Sequence, residues 1–443
     1  MTLSMRDAAI TLILSALFVG GLLHQSWDRV GTDISAIYLG AWLVSQGQSE
    51  LIYSAYPYFI GDAVHPGWAE AARAAGFGGR EVVAYVYPPI WAALLAPLAA
   101  ALSPAAFSNL VSLVTLSAYA ASVFATWRLM GATLRLPLYT MAILAFSLLS
   151  LPFLFAWALI QPQLIVIALI LWSFERLGRG HGITAGLLLG LAAALKVTPI
   201  LFLILFLGER AWKASAVALG TAGGVALLSV VVMGWPSHAA FLEATSFISA
   251  YTLLYGGNLT FGALAHAVFA ADGMQIFPPG RAYFETVPWI GGLSHALLLG
   301  GGCGVLWATR ALADDVRLPL RAALLFPLLT FFSPLAWSHY YVPVILMALA
   351  LYGRIPTGPW AVATVAAAAM AFAPIGRALS QTVSEAPLLQ IYMAGMLVLA
   401  WAALMIAARA LQGHSAAMRI AGMSRSAVLR NSTTGTPSGN ARP

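Results

Sequence analysis

The chain has 443 residues, 61% of them hydrophobic and only 8% charged, and its mean hydropathy is +0.86. Soluble domains carry about a quarter charged residues, so composition excludes a soluble enzyme and predicts an all-α integral membrane protein. The 22 Lys+Arg against 15 Asp+Glu give a formal charge of +7, but the basic residues gather at the ends of apolar runs and in the tail, a pattern of membrane orientation and not of nucleic-acid binding.

In chain order, the first run spans Ala8 to about Leu23, follows only Arg6 and shows no small-residue cleavage site before Gln25, so it is expected to be a retained first helix. Apolar runs centred near Ala16, Leu95, Ser117, Phe146, Ala168, Ala194, Gly224, Leu299, Leu325, Ile345, Ala366 and Val398 give a polytopic bundle of about 12 transmembrane helices. Two long polar interruptions, Gln25 to about Tyr85 and Trp235 to about Val287, are expected to be large extracytoplasmic loops carrying interfacial helices. Arg310, Arg317 and Arg321 then mark the cytoplasmic face. A plain twelve-span count leaves Arg128, Arg135, Arg176 and Arg179 on the outer face; splitting the run Ile183 to Leu207 at Lys196 and Pro199 into two short helices alters the parity. Residues 1–411 form one transmembrane domain on this reading. Residues 412–443, rich in Ser, Thr, Gly and Arg, are expected to be a disordered basic cytoplasmic tail.

Asp33 stands out in a chain so poor in charge. The segment behind it, with Ile34, Ile37, Tyr38, Ala41, Trp42 and Val44 against Ser35, Ser45, Gln46 and Gln48, predicts a helix lying flat in the interface and pinning Asp33 at headgroup depth. The plainer alternative makes Thr32 or Asp33 the N-cap of a helix beginning at Ile34. Tyr87, ahead of Pro88 and Pro89, puts a phenol at a fixed helix entry, either as part of an aromatic belt or to position a substrate. Gln161 and Gln163 flank a helix start, where amides hydrogen-bond neighbours or a sugar.

Lys196 lies in an apolar run beside Gly186 and Gly190, which permit close helix approach. A lysine there either snorkels to the interface or meets an anion. Asn258 follows a Gly-Gly pair in the second loop and Arg281 comes after it; His339 sits between Trp337 and Tyr340, to serve a phosphate or sugar oxygen or a helix end. Cys303 is alone, so neither a disulfide nor a thiolate metal site can form. No paired carboxylates, Walker loop or metal-spaced His/Cys cluster occurs, so no metal or other cofactor is expected.

Asp33 with "YLGAWLVSQGQSELIY", then "YVYPPIWAALLAPL", the stretch from "QPQLIVIALI" through "AAALKVTPILFL", "GGNLT" and "SPLAWSHYYVPVILMAL" together resemble the membrane glycosyltransferases of family 87, over most of Asp33 to Leu351. The resemblance implies a GT-C-type fold and transfer, with inversion, of a sugar such as mannose from a polyprenyl-phosphate-linked donor. The acceptor would be a cell-envelope glycolipid or glycan on the outer face of a bacterial inner membrane. It implies Asp33 as the catalytic base. The donor phosphate then falls to Lys196, His339 and Arg281, and substrate positioning to Tyr87, Gln161, Gln163 and Asn258. The rival classes are a membrane transporter or flippase for a lipid-linked or anionic substrate, and a non-catalytic assembly subunit.

Overall fold

Ser4 opens the first helix: its hydroxyl accepts the Asp7 backbone N–H at 3.0 Å, and α1 runs from Met5 to Gln25. In the computed structural model the residues described are 3–54, 66–78, 82–254, 258–269, 275–277 and 281–351, with the side chains of 275–277, 281–284 and 351 left aside. The runs expected around Ala366 and Val398, and the tail, lie outside them.

Four elements follow at one end of the bundle: α2 (Thr32–Ser45), α3 (Pro66–Ala72), a π-helical turn (Arg73–Phe77) and α4 (Pro89–Ala101). They share an apolar core of their own, in which Trp68, Tyr85, Leu39 and Phe107 are fully enclosed. Next come α5 (Pro104–Met130), α6 (Leu136–Ser147), α7 (Leu151–Leu159), α8 (Gln163–Gly178) and α9 (Gly182–Leu195). A 3-10 turn (Thr198–Phe202) leads into α10 (Leu203–Gly208), and α11 (Trp212–Ala250) is long and kinked at Gly234. Strand β1 (Tyr251–Leu254), α12 (Phe261–Phe269), β2 (Gln275–Phe277) and β3 (Arg281–Glu285) follow, then α13 (Pro288–Thr309), α14 (Asp314–Phe331), a 3-10 turn (Ser338–Tyr341) and α15 (Val342–Leu351). The antiparallel sheet β1-β3-β2 departs from a purely helical second loop.

Local chemistry explains several boundaries. The Ser103 hydroxyl caps α5 at the Ala106 N–H and Pro104 takes the first helical position; Gly131, at φ 55°, ends the helix in the left-handed conformation. The two α9 glycines predicted to admit a neighbour do so. A Cβ on Gly186 would lie 2.5 Å from the Ala214 carbonyl oxygen, and one on Gly190 2.5 Å from Thr221 Cβ, so α9 and α11 run side by side, nearly backbone to backbone. Gly190→Leu is therefore expected to force these helices apart, costing about 1–3 kcal/mol and lowering the thermal midpoint of the detergent-solubilised protein.

Two expectations change. The α4 run centred on Leu95 does not cross. Its first turn is tied to the end of α9 by the Trp91 indole N–H on the Ala194 carbonyl oxygen at 3.0 Å, and its last to α2 by the Tyr38 hydroxyl on the Ala99 and Leu102 carbonyls. Both α4 ends thus sit at one end of the bundle, and at 13 residues it falls short of the ~20 a span needs. The run from Ile183 to Leu207, by contrast, is a helical hairpin of α9 and α10 with Lys196 at its tip, in extended conformation (φ −154°, ψ 124°). The run near Phe146 is likewise bent, by 73° between α6 and α7.

Arg128, Arg176 and Arg179 converge on buried Glu175 at 2.7, 2.5 and 2.6 Å, Arg135 meets Asp7 at 2.6 Å, and Arg317 and Arg321 meet Glu209 at 2.9 and 2.8 Å. All of these arginines lie at the end opposite Asp33.

Candidate active site

Asp33 occupies the first turn of α2, one residue in from Thr32, and the N-cap is Gly31. The capping role considered for Thr32 or Asp33 is therefore not what the acid does; it sits where the helix dipole favours a negative charge. Gly31 is needed for close approach: a Cβ there would lie 2.3 Å from the Leu159 carbonyl oxygen at the end of α7. Nor does α2 lie flat on an exposed interface. Residues Ile34 to Ala41 are all buried, Ser35 included, whereas Gln46 and Gln48 of the expected polar set stay exposed.

Between α7 and α8 the chain reads Ile160-Gln161-Pro162-Gln163. Ile160 holds φ 52°, a left-handed conformation rare for a β-branched residue. The turn it makes directs two buried amides at two charges. The Gln161 side-chain NH₂ donates to the Asp33 carboxylate, and the Gln163 amide oxygen accepts from the Lys196 ammonium at 3.0 Å. Asp33 and Lys196 are near enough to interact as charges.

Each pair has an aromatic attendant. The Tyr87 hydroxyl donates to the Gln161 amide oxygen at 3.2 Å, which orients the NH₂ toward Asp33. Burial first, and the Asp33 charge next, push the Tyr87 phenol well above its ordinary range, so it stays a neutral donor. Lys196 donates to the Tyr340 hydroxyl and lies 3.9 Å from the centre of its ring. Beside them His339 is fully buried, stacked on Phe155 at 6.1 Å and edge-on to Tyr340 at 4.8 Å. Among the described residues neither of its ring nitrogens has a hydrogen-bond partner. An imidazole in that condition is costly unless something polar comes to meet it.

Thus Asp33, Tyr87, Gln161, Gln163, Lys196 and His339 come together. Asn258 takes a different place: its amide donates to the Leu253 carbonyl at 2.7 Å and accepts from the Ala336 N–H at 3.2 Å, bracing the second loop against the strand-like stretch before His339. Arg281 belongs to β3, opposite Phe277, and its side chain lies outside those described. Among the described residues, no three His, Cys, Asp or Glu are grouped to hold a metal ion. Tyr340, which the sequence offered only as a neighbour of His339, bonds Lys196 across 144 positions, a pairing that no local pattern shows. Arg29, also unselected, fastens the end of α7 with its guanidinium on the Trp157 carbonyl at 3.0 Å.

The family model described as Glycosyltransferase family 87 matches residues 85–338. The chain belongs to glycosyltransferase family 87. A relative in Mycobacterium tuberculosis (strain ATCC 25618 / H37Rv), the polyprenol-phosphate-mannose-dependent alpha-(1-2)-phosphatidylinositol mannoside mannosyltransferase, is 28% identical over 274 residues. That alignment covers 58% of this chain and 59% of the relative. Within this family 87 chain, Tyr87, Gln161, Gln163 and Lys196 fall inside the matched span, whereas Asp33 precedes it and His339 lies just past its end.

Proposed function

We propose that this family 87 protein is a polyprenyl-phosphate-sugar-dependent glycosyltransferase that uses Asp33 as general base. The observation that carries this reading is the bracket Gln161-Pro162-Gln163, which fixes one carboxylate and one ammonium on either side of a single turn. An acceptor hydroxyl loses its proton to Asp33 while its oxygen attacks the anomeric carbon. The bond from that carbon to the phosphate oxygen breaks, and the electron pair leaves with the polyprenyl phosphate. Lys196 and the His339 ring face the charge developing on that leaving group, the place where fixed donors lower a barrier most. Attack opposite the leaving group inverts the sugar. A monophosphate leaving group matched by an ammonium and an imidazole asks for no divalent cation. The relative's printed donor, polyprenol-phosphate-mannose, makes mannose the first sugar to test.

Orientation follows from the clustered guanidiniums. The end holding Arg128, Arg176, Arg179, Arg317 and Arg321 is cytoplasmic by the positive-inside rule, so the Asp33 end opens outside the plasma membrane.

The test is transfer itself. Purified protein is incubated with radiolabelled polyprenyl-phosphate-mannose and envelope glycolipids, and the anomeric configuration of the product is read by NMR. An inverted product is expected; a retained configuration overturns the single-base mechanism. Gln161→Ala leaves Asp33 and Tyr87 without their shared amide. It is expected to lower kcat by roughly tenfold, as loss of one buried hydrogen-bonding partner does, with little change in donor KM. Tyr87→Phe on that background is expected to add almost nothing, because both act through the same amide.

A further inference from the structure

At the end of the bundle opposite Asp33, the turn between α8 and α9 and the turn between α10 and α11 frame an open recess of about 670 Å³ lined by His181, Gly182, Thr184, Arg210, Trp212 and Lys213. Its charge is unbalanced. The two neighbouring acids are already taken, Glu175 by three arginines and Glu209 by two, and among the described residues no carboxylate pairs with Arg210 or Lys213. Arg210 is held at φ 54°, in the left-handed region, by its N–H on the Leu207 carbonyl at 3.0 Å. Two long helices, α9 and α11, begin here without a capping side chain, so their free N–H groups add to the positive field.

Below the recess the surface turns apolar. Ile183, Leu187 and Leu191 are exposed at successive turns of α9, in line toward the middle of the bundle, and the Trp212 indole, 64% exposed, stands at the rim. A cationic recess above an apolar track with an interfacial tryptophan matches one kind of molecule, a phosphate-bearing headgroup with its acyl chains.

We propose that this recess binds the headgroup of an anionic phospholipid, in the leaflet opposite the Asp33 site, with the acyl chains along Ile183, Leu187 and Leu191. The site is separate from the glycosyltransfer reading and stands or falls without it.

Native mass spectrometry of the full-length, detergent-solubilised protein tests this, with phosphatidylglycerol, phosphatidylcholine and inorganic phosphate titrated in separate arms. One phosphatidylglycerol is expected to be retained in preference to phosphatidylcholine. Arg210→Ala with Lys213→Ala, both exposed, is expected to weaken that binding by roughly thirtyfold at an unchanged thermal midpoint. Arg310→Ala, which removes an exposed cation stacked on Trp307, is expected to leave it unaltered. Equal retention of both lipids, or a double variant that binds as the parent does, overturns the proposal. Inorganic phosphate that displaces the lipid at comparable concentration also overturns it, because the occupant would then be a soluble anion.

Discussion

Asp33→Asn is expected to yield a protein that inserts, purifies and melts like the parent yet transfers sugar some 10² to 10⁴ times more slowly, the usual value of a positioned general base. The substitution keeps the shape at the start of α2. Asparagine's carbonyl oxygen can still accept from the Gln161 NH₂, so the hydrogen bond that ties α2 to the α7–α8 turn survives. Only the capacity to take a proton is lost. Single-turnover transfer from labelled donor, alongside a melting curve, separates chemistry from folding. A variant of full activity would remove Asp33 from the mechanism.

Lys196→Met carries the second large effect. Methionine keeps the length and packing of the side chain but deletes the charge aimed at the leaving phosphate, and loss of one such donor costs about 10² to 10³ in kcat. Some loss of stability is expected with it, because the Gln163 amide oxygen and the Tyr340 hydroxyl lose the ammonium they bond, so a melting curve accompanies the rate measurement. Tyr340→Phe removes only the hydroxyl that Lys196 grips and leaves the ring beneath it. It is expected to cost a few-fold at most. A Lys196→Met protein with donor KM raised and kcat intact would place the lysine in ground-state binding and not at the departing phosphate.

Much of this was legible in the residues. Asp33 and Lys196 declared themselves because charge inside an apolar chain is expensive, and Gly186 and Gly190 announced a close helix pair. What escaped depended on partners far away in sequence. Gln161 meets Asp33 across 128 positions and Lys196 meets Gln163 across 33, so no local pattern shows that these amides hold the charged groups. On α2 only Ser35 departs from the expected polar set: it satisfies itself on the Thr32 carbonyl and is buried, while Gln46 and Gln48 remain exposed. Periodicity cannot see which neighbour covers a helix. Helix α4 misled through composition, since an apolar run of 13 residues reads like part of a longer one until its ends are placed.

That same helix has a consequence for biogenesis. Thirteen uncharged residues, Pro89 to Ala101, leave the ribosome ahead of α5 and resemble a stop-transfer signal to the insertion machinery. Lodging α4 in the bilayer would invert every helix made afterwards and send Arg128, Arg135, Arg176 and Arg179 through the translocon. Guanidiniums resist that passage. In the folded chain Arg128, Arg176 and Arg179 meet on Glu175 and Arg135 meets Asp7, so a misthreaded chain would forfeit four ion pairs as well as carry four guanidiniums across the bilayer.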